Sequence, residues 1–423
     1  MQGTVRAMGL TSRGDKVTAK YTIKNKSSEL EANLKAEAIS TNENYFEIEC
    51  SLEKKTIKAQ EETILTVILK LIRTPVNENN GDVTADIIIT ADPKQPDEEV
   101  EANTQIEKTS EIYLPAGFTK VPETTLDDGL TIQDSQGNQY VWIEVPRTVE
   151  VYPTAGLEIT EFTDEEYIEI ETDLHTYTSD YRDETNYKDE YYSDDVTGLT
   201  SEQYKELKQR MLKSVYQNEG FYIGKYETGI ENAPKTSGSS SIIPTENPVI
   251  KPNAYPYNYV TCSQAQVLAS NMESGDRTSS LLFGIQWDLV LKYLETKGTT
   301  KDGLKTNSVE WGNYKTSELN ITNENSKYSL NGLNWINEVY GAKTLDSIVL
   351  FSTGASDKFA KQGIYDLAGN VYEMTLETAS DPDYPVVSRG GKYIDGSDEN
   401  ASIHGIGRMS DCSRNIGFRV SIY

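Results

Sequence analysis

The chain has 423 residues, 36% of them hydrophobic and 27 of them tyrosine, enough apolar material for two or three packed cores. A formal net charge of -27 opposes nucleic-acid backbones and anionic membranes, so neither is expected as a partner. Cys50, Cys262 and Cys412 are too scattered for a disulfide framework, and His175 and His404 are too few for a histidine-rich zinc site.

From the N-terminus, Val17, Ala19, Tyr21 and Ile23 alternate with polar residues. The same alternation returns at Leu34, Ala36 and Ala38, at Phe46, Ile48, Cys50 and Leu52, at Leu65, Val67, Leu69 and Leu71, and at Val83, Ala85, Ile87 and Ile89. Period two buries one face of a strand and wets the other. Repeated strands without helices predict an all-β immunoglobulin-like sandwich over residues 1–95, with the role of a spacer or docking module. The acidic stretch around Asp97, Glu98 and Glu99 offers no face to bury, so residues 96–110 read as a linker.

Residues 111–423 form the second expected domain. Strands are predicted over residues 112–118 and 137–145. An insertion at about 160–198 is crowded with acidic residues and with Tyr177, Tyr181, Tyr187, Tyr191 and Tyr192. It reads either as a ligand-facing loop or as a surface excursion with its tyrosines packed on the domain, and composition does not separate the two. Thr200 and Gln203 form a capping box for a helix in which Tyr204, Leu207, Met211 and Val215 recur at helical spacing, and Gly220 ends it. A second helix is predicted from Thr261 or Cys262 to Met272, with Ala265, Leu268 and Ala269 inward. A third carries Ile285, Trp287, Leu291 and Leu294. The remainder, rich in glycine and asparagine, reads as loops and short strands. No apolar run approaches the roughly 20 residues of a membrane span, and the N-terminus has no signal-peptide core.

Several blocks then appear in a recognisable order: Gly220-Phe-Tyr-Ile-Gly-Lys-Tyr-Glu227, Tyr259-Val-Thr261, Leu281-Leu-Phe-Gly-Ile-Gln-Trp-Asp288, Gly363-Ile-Tyr-Asp-Leu-Ala-Gly-Asn-Val-Tyr-Glu-Met374, Arg389-Gly-Gly-Lys-Tyr393 and Gly417-Phe-Arg-Val420. Together they resemble the formylglycine-generating-enzyme-like (sulfatase-modifying factor) family. The resemblance implies an α+β C-type lectin fold for residues 111–423. Two departures stand out: Phe283 and Gly284 replace the usual Pro and Thr, and the paired cysteines that bind copper in the enzymes are missing. Residues 392–412 hold Cys412 alone, whereas a soft copper(I) site needs paired soft ligands. No phosphate-binding loop, His-Glu-x-x-His or serine elbow is present, so the chain is expected not to be an enzyme and to need no catalytic cofactor.

Read from the residues, Gly369-Asn370 is a turn that tolerates positive φ, and Gly390-Gly391 permits close backbone approach. Arg389 and Arg419 are expected to hold loops through carboxylates or carbonyls, and Gly417 and Phe418 to belong to the same structural frame. Glu373 is open between capping a turn and ligating a cation. The resemblance adds calcium as an accessory ion, with Asn370 and Glu373 as its candidate ligands.

Lectin-fold proteins that look like this one are targets of diversity-generating retroelements, which rewrite AAC-type codons into fifteen residue types. Between Arg389-Gly-Gly391 and Gly417-Phe-Arg419 most residues belong to those types; Lys392, Glu399 and Met409 do not and would be fixed. Ile403, Ile406, Ile416 and Cys412 sit there without clean periodicity, and His404 reads as solvated. The expectation is a variable recognition face in which Tyr393, Asp395, Ser397, Asn400, Ser402, His404, Arg408, Asp411 and Arg414 contact a protein or glycan ligand. An ordinary polar surface loop is the competing reading. The expected setting is extracellular, at the surface of a Gram-positive bacterium or its phage. A structural surface or phage protein and a residual thiol-oxidising enzyme are the alternatives.

Overall fold

The computed structural model describes residues 10, 13–28, 31–40, 45–73, 85–92, 103–107, 112–182, 186–396 and 400–423. The chain is rich in β structure and divides into two compact units, Met1–Ile112 with Pro146–Thr160, and Tyr113–Val145 with Glu161–Tyr423. The sequence boundary at residue 111 is therefore incomplete, because Pro146–Thr160 belongs with the first unit.

In the first unit, β1 (Lys16–Lys24), β2 (Ala32–Ser40), β3 (Phe46–Leu52), β4 (Thr56–Ile57), β5 (Glu62–Leu71), β6 (Ala85–Asp92) and β7 (Asn103–Glu107) form two sheets, ordered β3-β5-β1-β7 and β4-β2-β6. Period-two alternation decides the faces. Ala19, Tyr21, Ile23, Leu65 and Val67 of one sheet share a cluster with Ala32, Leu34, Ile57 and Ile89 of the other. Burying each large member stabilises the unit by about 1.5–3 kcal/mol. The segment read as a linker corrects the sequence reading, since β7 pairs antiparallel with β1 from Lys16↔Glu107 to Lys20↔Asn103. An edge strand needs one row of backbone hydrogen bonds and no apolar run, which is why its polar sequence concealed it. The rest of 96–110 lies outside the described residues.

The second unit opens with β8 (Thr119–Lys120), β9 (Thr131–Gln133) and β10 (Gln139–Glu144), followed by α1 (Asp164–Tyr177), β11 (Tyr187–Lys188), α2 (Asp194–Thr197) and α3 (Ser201–Asn218). Then come β12 (Gly220–Gly224), β13 (Gly229–Ile230), β14 (Tyr255–Pro256), α4 (Cys262–Ser270), β15 (Ser279–Leu281), α5 (Gly284–Thr296) and α6 (Lys301–Lys305). Seven two-residue strands follow: β16 (Leu319–Asn320), β17 (Tyr328–Ser329), β18 (Trp335–Ile336), β19 (Ala342–Lys343), β20 (Leu350–Phe351), β21 (Ala360–Lys361) and β22 (Ile364–Tyr365). The unit ends with β23 (Tyr372–Ala379), β24 (Val386–Arg389), β25 (His404–Gly407), β26 (Ile416–Phe418) and β27 (Val420–Ile422). One sheet runs β15-β27-β12-β10-β9-β8 and another β11-β23-β24-β25, with β26 parallel to β23.

Among its described residues, the insertion at 160–198 carries α1, β11 and α2. Thr163 and Glu166 form a reciprocal capping box for α1, which buries Ile170 and Leu174 four residues apart. Two apolar residues in an otherwise charged stretch are a thin stripe, so composition masked the helix. Helix α3 starts at its Thr200/Gln203 box and buries Tyr204, Leu207, Met211 and Val215. It ends in left-handed Glu219 at φ 62, ahead of Gly220. A Cβ at Gly220 would lie 2.3 Å from the Ile143 carbonyl oxygen, so only glycine fits between α3 and β12.

Helix α5 begins at Phe283, which has no side-chain acceptor for the first turn. Asp189, from the insertion, supplies it: Gly284 N donates to Oδ1 at 2.6 Å and Ile285 N to Oδ2 at 2.8 Å. A carboxylate at a helix N-terminus satisfies orphan donors and opposes the positive end of the dipole. No helix among the described residues is long and apolar enough to cross a membrane.

Candidate functional site

Two buried ionic frames fix the ends of the C-terminal segment. Arg389, at the end of β24, donates through Nη2 to Asp288 Oδ1 at 2.6 Å and through Nη1 to Glu377 Oε2 at 3.1 Å. Arg182 Nη1 donates to the other oxygen of Asp288 at 2.9 Å, which ties the insertion to α5. Burial raises the Glu377 carboxyl, but Arg389 and His404 beside it outweigh that cost and hold it down at about 2. Asp288 and Glu377 were missed in the sequence. The available signal was Arg389 itself, because a buried guanidinium demands buried carboxylates.

The second frame surrounds Arg419. Its Nε and Nη2 donate to the two oxygens of Glu373 at 2.8 and 2.5 Å, and Nη1 donates to the Gly224 carbonyl at 2.7 Å. Next to it, Asn370 stands at φ 60 after Gly369 at φ 77, and a Cβ at Gly369 would lie 2.3 Å from Asn313 O. The Asn370 amide donates to Glu227 Oε2 at 2.7 Å and accepts from Asn313 Nδ2 at 2.9 Å and Phe351 N at 3.1 Å. Burial, with Asp366 and Glu373 nearby, pushes the Glu227 carboxyl well above the usual carboxylate range.

These contacts test the calcium expectation. Both oxygens of Glu373 already face the Arg419 cation, and the Asn370 oxygen accepts two protein hydrogen bonds. As placed, the two residues do not fit a calcium ion, which requires free oxygens converging at 2.3–2.6 Å. No group of three or more His, Cys, Asp or Glu suited to a metal occurs among the described residues.

Between the frames, His404–Gly407 is strand β25, paired antiparallel to β24 from Val386↔Gly407 to Arg389↔His404. The segment thus has more regular structure than its sequence suggested. His404 is not solvated: its ring stacks on Tyr187 with centroids 4.1 Å apart, and Nε2 lies 2.7 Å from Arg389 Nη1. Tyr393 is 1% exposed and donates its backbone N–H to Asn370 O at 2.9 Å, so it is a floor and not a contact surface. Asn400 is buried and accepts from the backbone and hydroxyl of Ser402 at 3.0 and 2.8 Å. Asp395 pairs with Lys392 at 3.4 Å. Ser397 lies outside the described residues.

Outward side chains begin within β25, at Ile406, and continue past its end. Ile406 is 47% and Met409 41% exposed, and Arg408 is exposed between them. A turn holds this stretch: Arg408 N donates to Asp411 Oδ2 at 2.8 Å, and the Arg408 guanidinium lies 5.4 Å from the centroid of the Tyr384 ring. Arg414 turns elsewhere, donating through Nη1 to Asn331 O at 2.8 Å. The eight described candidates therefore separate into an Arg408–Asp411 turn, an Arg414 corner, buried Tyr393 and Asn400, and half-buried Asp395, Ser402 and His404.

The Arg414 corner joins three loops. Tyr259 N donates to Ser413 O at 3.0 Å, and Asn258 Nδ2 donates to Arg414 O at 3.0 Å. On the other side, a Cβ at Gly332 would lie 2.8 Å from the Tyr393 hydroxyl and 2.7 Å from Arg414 Cδ. Trp335 packs against the cluster of Leu350, Val371 and Tyr393 and stands edge-on to Tyr255, with centroids 4.9 Å apart. Tyr259 holds φ 57, a left-handed conformation costly for an aromatic residue. Sequence reading missed Asn258, Tyr259 and Trp335, since only the fold brings them to Arg414.

The cysteines are free among the described residues, and Cys262 is buried with Sγ donating to Thr375 O at 3.4 Å. Burial pushes its thiol up to about 12, far from the thiolate that metal ligation or oxidation needs.

No protein-family model matches the chain, and no curated protein matches it. The crystal structure of CarF aligns at 15% identity over 73% of this chain and 94% of its own, with a TM-score of 0.19, a likeness too distant to bear on the fold.

Proposed function

We propose that the chain is a non-catalytic ligand-binding protein whose second unit displays a recognition surface between residues 404 and 416. On this reading the first unit is an immunoglobulin-like sandwich and the second a C-type lectin fold of the formylglycine-generating-enzyme type, displayed at a cell or phage surface. One observation carries the functional reading: outward Ile406, Arg408 and Met409 and half-exposed Arg414 stand between the buried Arg389 and Arg419 frames. Side chains on such a rigid mount can change their ligand without changing the fold. The motifs shared with the formylglycine-generating-enzyme-like family mark the mount and leave this stretch unmarked. The retroelement reading follows, with variation confined to outward positions. Sequencing the DNA downstream of the gene tests it: a near-copy of the final coding stretch beside a reverse-transcriptase gene is the expected result.

The test uses an array of cell-surface glycans and bacterial surface proteins. It is probed with the wild-type chain and with a variant carrying Ile406→Ser, Arg408→Ser, Met409→Ser and Arg414→Ser. Wild-type signals are expected to vanish in the variant while its thermal midpoint stays within about 5 °C, because substitutions at exposed and half-exposed positions cost less than about 0.5 kcal/mol each. An array blank for the wild type favours an inert structural protein. Parallel loss of folding and binding places the stretch in the core and ends the proposal.

A further inference from the structure

Three loops meet at Arg414: the one through Asn258 and Tyr259, the turn at Asn331-Gly332 leading to Trp335, and the C-terminal segment itself. Resting on the ligand-binding reading above, we infer that this corner binds a carboxylate-bearing sugar, with Arg414 taking the carboxylate and Trp335 and Tyr259 taking the ring.

The first argument is charge. Among the described residues Arg414 pairs with no carboxylate, although the chain carries 67 Asp and Glu against 40 Lys and Arg. The deeply buried guanidiniums of this unit, Arg182, Arg389 and Arg419, each meet a carboxylate, and half-buried Arg277 stacks 3.4 Å over the Tyr113 ring. Arg414 donates one N–H to Asn331 O and stands by the Tyr393 hydroxyl, which leaves donors of its planar fork for a ligand. A guanidinium fork matches a carboxylate in a two-bond geometry that neutral groups do not reproduce.

The second argument is the set of polar atoms around it. Asn258 is 2% exposed, its nitrogen fixed on Arg414 O, yet its Oδ1 accepts no hydrogen bond from the described residues. Asn415 Oδ1, one residue beyond Arg414, is likewise buried without a donor. Two acceptors wanting donors beside a cation wanting an anion describe a ligand that has both hydroxyls and a carboxylate. An acidic peptide supplies the carboxylate and N–H donors but no flat, hydroxyl-edged ring for the aromatic side chains; a neutral sugar supplies the ring and hydroxyls and leaves the guanidinium unanswered.

The third argument is the aromatic frame. Trp335 and Tyr259 are half-exposed, and the Tyr259 loop is held at φ 57 by its bond to Ser413. Trp335 is steadied by Tyr255 and by the buried cluster of Leu350, Val371 and Tyr393. Rigid aromatic faces with polar edges suit the apolar face of a pyranose ring, and a few fixed polar groups then set its orientation.

The experiment titrates the full chain with 3′-sialyllactose and with a glucuronate-capped oligosaccharide. Lactose and the glucose-capped counterpart serve as neutral controls, and a short Asp/Glu peptide as the other anion. At least one acidic sugar is expected to bind and its neutral counterpart to bind at least 10-fold more weakly. Arg414→Gln and Trp335→Ala should each weaken the acidic sugar 10-fold or more, and Arg210→Gln on the exposed face of α3 should leave it unchanged. An unaltered thermal midpoint in Arg414→Gln separates lost recognition from lost folding. Binding of neither acidic sugar, equal binding of the neutral ones, preference for the peptide, or indifference to Arg414→Gln overturns the inference. If another array ligand is lost on substituting residues 406–414 while acidic sugars fail to bind, the recognition surface stands and the sugar assignment falls.

Discussion

Arg389 and Asp288 meet at 2.6 Å with both side chains fully buried, joining the end of β24 to the second turn of α5. Removing one member of such a pair strands the other charge in the interior, at a cost of about 3–5 kcal/mol. Asp288→Asn should therefore lower the urea midpoint severely, and Arg389→Lys should recover only part of the native stability. Lysine has no planar fork to span Asp288 and Glu377 together. Equilibrium urea unfolding checks both variants, and a loss under about 1 kcal/mol in Asp288→Asn contradicts the argument.

Asp189 replaces the N-cap that Phe283 cannot supply. Asp189→Ala leaves Gly284 N and Ile285 N without acceptors and should destabilise the unit by about 3 kcal/mol; Asp189→Asn, which keeps one acceptor, should cost about half as much. Amide hydrogen exchange localises the effect: Gly284 and Ile285 should lose protection first, ahead of the middle of α5.

Glu377 gives the acid limb of stability a specific origin. Its carboxyl is held down at about 2 against an ordinary value of 4.5, so the folded state binds the proton more weakly than the unfolded one. The contribution is complete above about 4.5, disappears as pH falls towards 2, and amounts to roughly 3 kcal/mol. Glu377→Gln should be less stable than wild type at pH 7, and the gap should close between pH 4.5 and 2. Thermal midpoints across that range measure it, and a constant gap refutes the assignment.

Arg419 already supplies the positive charge that Glu373 needs. Adding calcium or a chelator should accordingly move the thermal midpoint by less than about 1 °C. Arg419→Met should destabilise strongly by exposing Glu373 to an uncompensated interior. A calcium-dependent rise of several degrees in the wild type shows that ligands beyond Asn370 and Glu373 bind the ion.

What the sequence disclosed follows from the range of each interaction. Helix α3 was legible because a capping box and an apolar stripe are local signals within 18 residues. The strands of the first unit were legible by period two. Strand β7 was not, because pairing with β1 asks nothing of its side chains. Helix α1 was hidden by its charge, with Ile170 and Leu174 as its only deeply buried apolar residues. Arg389, Arg419, Gly369 and Asn370 could be named from their motifs, but their partners Asp288, Glu377 and Glu227 lie 12 to 143 residues away in the chain. The Arg414 corner was the least legible, since its three loops share no local pattern.

The final prediction concerns which positions between 400 and 417 tolerate replacement. Treating the stretch as one uniform loop predicts uniform tolerance, and the contacts predict a divided map. A Cβ at Gly405 would lie 2.9 Å from the Tyr372 ring, and at Gly417 3.0 Å from Val371 Cγ2, so side chains there force the strands apart. Ala401 is fully buried and its carbonyl accepts from Trp287 Nε1 at 2.9 Å. Ile406, Arg408, Met409 and Ser410 point outward, and substitutions there should stay within about 0.5 kcal/mol. Saturation mutagenesis of residues 400–417, sorted for folded protein on a display host, should recover nearly all residue types at those four positions. At Ala401, Gly405 and Gly417 it should recover little beyond Gly, Ala and Ser. Met409 separates the two origins of variation. Its codon lies outside the set that adenine-directed rewriting reaches, so a tolerant Met409 marks a position open to physical change but closed to that mechanism. Intolerance at all four outward positions would mean that the segment is structural and that recognition lies elsewhere.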